Sequence, residues 1–252
     1  PLALILPAET RLIAELNFYQ WTIFGAFLAH LFPIAGGFMH YSRLTPLLRS
    51  ILVWAICSFM LDGLSSFLWL QSKSNLFLGH LHTVVEFALL LNAYRLYFSK
   101  PGSKQWAWWL VVGVFALMAF ANVLFLQDLW MYNTYIKIIE SLVFISLALW
   151  YYFQLAREMK VARLEREPMF WLSTAIIIYF SGSFFIHTYS NYMLFYSLNL
   201  GVRIWFIHAI FFILFNIFII ILFIIFHIVF CAFYFYYIYF LKIFIILFIG
   251  IS

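Results

Sequence analysis

Three carboxylates and four histidines stand inside runs too apolar to keep them in water. Asp62, Glu86 and Glu140 lie in such runs, and His80, His82, His187 and His208 fall in the same layer, at or outside the expected bilayer midplane. Ionisable groups in hydrocarbon cost several kcal/mol unless paired or hydrated, so a common depth for groups from five segments points to one shared polar site. His82 and Glu86 are spaced i, i+4 and share a helix face. A neutral imidazole beside a carboxylate suits a proton relay, a ligand anchor or two metal ligands. A hydrogen-bonded pair that merely ties two helices together accounts for the same residues. His80 points about 200° away from His82 around a helix, so the HxH string makes no two-ligand claw.

Asp62 has Ser58, Ser65 and Ser66 around it, and its economical partner is His82 or Glu86 of the next segment. Carboxylates gathered there would favour proton uptake if no cation intervenes. Glu140 and Lys137 are i, i+3 and can neutralise each other. Lys137 stands shallow enough to snorkel outward, which predicts an interfacial salt bridge. Ser183 and His187 share a face, and Arg203, Trp205 and His208 open the last segment. Arg203 reads as an interfacial anchor, Asn216 as an interhelical hydrogen bond, and His30 as structural. His227 falls too far along to join the layer. The candidate ligand-binding set is therefore Asp62, His82, Glu86, Glu140, His187 and His208. The sequence names no metal and no cofactor.

The elements that must position these groups follow from composition. Of 252 residues, 67% are hydrophobic and only 9% charged, and the mean hydropathy is +1.04. Soluble domains carry about 25% charged residues. Apolar runs of about 20–25 residues match the length a helix needs to cross a bilayer. Seven spans are expected, near 16–39, 47–70, 75–98, 105–126, 132–155, 169–190 and 202–225, giving an all-α polytopic transmembrane helix bundle. Pro33, with Gly36 and Gly37, predicts a kink in the first span. The seven-helix domain is drawn as 1–226, and 227–252 as an apolar tail or eighth helix. A straight helix from 202 to 251 would be about 75 Å long, so a bend, a re-entrant turn or an interfacial path is expected.

Cys57 and Cys231 lack metal or redox spacing and read as small buried hydrophobes. The 23% aromatic content reads first as interfacial belts and packing. No signal-peptide pattern opens the chain. The formal charge of +5 falls in short loops, so it sets orientation and implies no nucleic-acid partner. Arg43, Arg49, Arg95, Lys100, Lys104, Arg157, Lys160, Arg163 and Arg166 flank the odd connections. Lys73, Lys137 and Arg203 flank the even ones. The odd connections are expected in the cytoplasm and the N-terminus outside, with Arg11, between Glu9 and Glu15, weighing slightly against this. The polar stretch 156–168 reads as a solvated cytoplasmic loop, or as a dock for a partner or anionic lipid.

The strings HTVVEFALLLNAYRLYF at 82–98, EPMFWLSTAIIIYFSGSFF at 167–185 and RIWFIHAIFFILFNIFIIIL at 203–222 carry aromatic and polar landmarks. In these the chain resembles an uncharacterised family of small polytopic inner-membrane proteins of Bacteroidota bacteria, over its third to seventh spans. The resemblance implies a bacterial inner-membrane location and no activity, and the tail beyond about residue 222 departs from it. A retinal protein would need a lysine within the seventh span, and residues 204–225 hold none. Zinc-dependent membrane hydrolases related to alkaline ceramidases pair histidines as HxxxH there, but His208 is followed by Phe212. Walker, GxSxG and HExxH motifs are absent. The leading expectation is a bacterial sensor or ligand-binding module with an outward-facing polar pocket and a cytoplasmic signalling partner. A transporter or proton-coupled permease is the second, and a membrane metal-dependent hydrolase using Asp62, His82, His187 and His208 the third.

Overall fold

The chain is an all-α bundle in a computed structural model that describes residues 18–39, 41–71, 73–99, 104–158, 164–196 and 198–249. Glu9, Arg11 and Glu15, with Lys100, Lys160 and Arg163 of the basic tally, lie outside the described residues. The helices are α1 Phe18–Ala29, α2 Leu31–Met39, α3 Pro46–Leu70, α4 Leu76–Phe98, α5 Trp106–Phe125, α6 Thr134–Glu158, α7 Pro168–Tyr196 and α8 Leu198–Ile249. Six stretches are long and apolar enough to cross a membrane: Pro46–Trp69, Leu76–Phe98, Trp106–Phe125, Thr134–Glu158, Pro168–Tyr192 and Arg203–Ile228. Their exposed faces carry large apolar residues such as Leu117, Phe120 and Phe185, as lipid contact requires. This is a multi-pass membrane protein.

The first expected span is interrupted. Pro33 has no amide hydrogen for the Ala29 carbonyl, and its ring crowds that oxygen. The helix therefore breaks at His30, one turn before the proline, and resumes with Ile34 donating to the His30 carbonyl at 3.2 Å. The break matters because it frees His30 to face the bundle. At the other end of the chain, α8 runs unbroken for 52 residues. Within the described residues the stretch after 226 continues α8 without a turn as far as Ile249, and no proline lies in it.

Alternate connections fall at opposite ends. Residues 126–133 and the starts of α4, α6 and α8 share one end, and the end of α4 and the starts of α3, α5 and α7 share the other. Mid-bundle packing is aromatic. Phe87 stacks on Phe115 at 3.7 Å, Phe144 meets Phe87 and Phe180 at 5.4 and 5.1 Å, and Phe215 meets Trp54 and Tyr179 at 5.1 and 5.0 Å. Trp54, Phe87, Phe144, Phe180 and Phe215 are fully buried. The Phe211 ring of α8 seats on Gly182 of α7, where an added Cβ would stand 2.5 Å from it, so any larger residue there requires the ring to move.

Candidate functional site

Helix α4 presents His82 and Glu86 on one face, and the first turns of α6 present Lys137 and Glu140 toward them. Lys137 Nζ lies 2.6 Å from Glu86 Oε2 and 2.8 Å from Glu140 Oε2, with both carboxylates fully buried and the lysine side chain 12% exposed. It donates a hydrogen bond to Glu86 and forms an ion pair with Glu140. His82 stands between two carboxylates: Nδ1 is 3.8 Å from Glu86 Oε2, and Nε2 is 3.9 Å from Asp62 Oδ1 of α3. His30 Nε2 reaches the other Asp62 oxygen at 3.9 Å. The result is an alternating chain of bases and acids, His30, Asp62, His82, Glu86, Lys137 and Glu140, drawn from the α1–α2 break and three helices.

Histidines of α7 and α8 flank this chain. The His208 ring stands 5.2 Å from His187 and 5.1 Å from Trp205, and its Nε2 is hydrogen-bonded to the Tyr179 hydroxyl at 3.3 Å. His208 interacts electrostatically with Lys137, Glu86 and His82, and Tyr179 with Glu86 and Lys137. Tyr132 covers Trp205 from the 126–133 connection, with ring centroids 5.1 Å apart, and burial pushes its phenol above the ordinary range. That connection is pinned. Asn191 accepts from the Tyr132 amide and donates to its carbonyl, both at 2.8 Å, and His80 Nε2 meets the Met131 carbonyl at 3.1 Å.

The six candidates thus occupy one neighbourhood, with Asp62, His82, Glu86 and Glu140 in the ionised chain and His187 and His208 beside it. Two sequence readings need correction. Lys137 does not snorkel outward: two buried carboxylates offer it stronger partners than the interface does, and it bridges them. Asn216 donates within its own helix, to the Phe212 carbonyl at 3.0 Å, instead of across to another. His30, read as structural, lies at the Pro33 break with its Nε2 3.9 Å from Asp62. His80 faces away from His82 as its spacing requires, and Arg203 is exposed. Tyr179 escaped sequence reading, although Tyr179, Ser183 and His187 are spaced i, i+4 and i+8 on one face of α7.

Among the described residues no group of three histidine, cysteine or acidic side chains is placed to hold a metal ion. Asp62, His82, His187 and His208 are accordingly not gathered into a ligand set. What the arrangement can do is exchange protons and hold positive charge. The buried atoms Glu86 Oε1, Glu140 Oε1, His82 Nε2, His30 Nε2 and Ser183 Oγ lack hydrogen-bond partners, a cost that native proteins accept at few positions. No protein-family model matches this chain, and neither does any curated protein or solved structure.

Proposed function

We propose that this protein is an outward-facing sensor or ligand-binding module of a bacterial inner membrane, taking positive charge into the buried chain and passing its occupancy to a cytoplasmic partner. The carrying observation is that Glu86 and Glu140, both without exposed surface, share the single cation of Lys137. A buried excess of negative charge is costly and draws a cation or a proton. The aromatic layer of Trp54, Phe87, Phe144, Phe180 and Phe215 lies between this chain and the opposite end, which favours a one-sided site over a permeation path. Orientation rests on the positive-inside rule. With Lys137 withdrawn into the bundle, Lys73 and Arg203 are left at the even connections, against nine basic residues at the odd ones.

Reconstitution in sealed liposomes tests this reading. Trp205 emission, isolated by subtracting a Trp205→Phe variant, is expected to change after an external acid step while an internal pH dye stays constant. A dye response without a Trp205 response would instead make the protein a proton-coupled permease.

A further inference from the structure

We infer that the positive charge taken up is a proton, and that His82 carries it from Asp62 to the buried Glu86–Lys137–Glu140 triad. The inference rests on the reading of this chain as the ligand site and names its ligand. Exposure falls along the route: the Asp62 side chain is 33% exposed, that of His82 14%, and those of Glu86 and Glu140 are fully buried. The two nitrogens of His82 face different carboxylates, at 3.9 Å toward Asp62 and 3.8 Å toward Glu86. Those separations exceed a hydrogen bond by about 1 Å, a gap that a small ring rotation or one water closes.

Two observations select a proton over a larger cation. Lys137 Nζ already fills the position between the carboxylates, at 2.6 and 2.8 Å, so a second ion would have to displace it, whereas a proton needs only a free oxygen such as Glu140 Oε1. His30 Nδ1 lies 3.2 Å from the Phe27 carbonyl, which only accepts, so Nδ1 carries hydrogen. The fully buried His30 Nε2 then points a lone pair at Asp62 Oδ2 across 3.9 Å. A proton on either atom removes that clash of acceptors. From the remaining helices the site faces Tyr179 and His187 of α7 and His208 of α8.

The transfer balances. Asp62 takes a proton from water and gives it to His82 Nε2, and the imidazolium releases its Nδ1 proton to Glu86 Oε2. Lys137 donates to Glu140 and is reprotonated by Glu86. One proton has entered, Lys137 remains an ammonium, and His82 is neutral in its other tautomer, which is reset when water takes the Nε2 proton and another water returns one to Nδ1.

Time-resolved infrared spectroscopy of the full chain in nanodiscs after a downward pH jump tests the inference. A carboxylic C=O band is expected to rise in the wild type and to be lost in Glu140→Gln, an isosteric change. His82→Ala, with His82→Gln as the variant closer in size, is expected to reach the same amplitude roughly 10²-fold more slowly, the low end of what a positioned acid–base group contributes. Added imidazole should restore the rate in His82→Ala. Loading at the wild-type rate in both His82 variants, or a band untouched by Glu140→Gln and by Glu86→Gln, would overturn it. The expected band behaviour with constant Trp205 emission would support the relay and defeat the sensor reading alone.

Discussion

The two halves of helices α4 and α6 solve the problem of polar groups in hydrocarbon differently. Toward the end where α4 finishes and α5 starts, the buried pairs are neutral, Tyr94 with Ser173 at 3.2 Å and Tyr152 with Thr174, while Asn92 donates to Ser50 at 2.9 Å and accepts from the partly exposed Arg95 at 2.9 Å. An orphaned hydroxyl there, that of Tyr151, is uncharged. Toward the 126–133 end the same helices carry two buried carboxylates on one lysine, and several polar atoms are left without partners. Neutral pairs suffice to fix helix register, at about 1 kcal/mol each or less. Register alone therefore gives no reason for the charges at the other end, and a binding role does.

The largest expected effect breaks the charged half. Lys137→Met leaves two buried carboxylates without their cation, and loss of one partner of a buried ion pair costs about 3–5 kcal/mol. Unfolding in mixed micelles should register that loss, and adding Glu86→Gln and Glu140→Gln to the lysine variant should recover most of it. Gly182→Ala comes next. Its methyl group meets the Phe211 ring, and overpacking of this kind costs about 1–3 kcal/mol. Because α7 and α8 carry His187 and His208, the same variant should also perturb Trp205 emission. In the neutral half, Tyr94→Phe removes one hydrogen bond to Ser173 and should cost about 1 kcal/mol, with no change in the pH response. Arg203→Gln at the exposed start of the last span should stay within about 0.5 kcal/mol. An equal loss for Lys137→Met and Tyr94→Phe would erase the distinction between the halves.

Much of the fold was legible because membrane helices announce themselves by length and hydropathy. The shared neighbourhood of Asp62, His82, Glu86, Glu140, His187 and His208 was legible too, since helical rise places them at one level of the bundle. Contacts between helices were not. Lys137 looks interfacial when only its own helix is considered, because Cα–Cβ bonds tilt toward the helix start; its link to Glu86 depends on how α4 and α6 pack. His30 depends on where the helix breaks, and a proline acts one turn upstream of itself. The uninterrupted α8 could not be anticipated from bilayer thickness, which limits a span and not a helix.

The central claim is that groups from different helices act as one charged unit, and a double-mutant cycle between Glu86→Gln and Lys137→Met tests it most directly. Contacting residues in one network couple by about 0.5–3 kcal/mol, and the 2.6 Å contact predicts a value in the upper half of that range. Losses that add to within about 0.3–0.5 kcal/mol would mean the two residues do not interact, and would contradict the account.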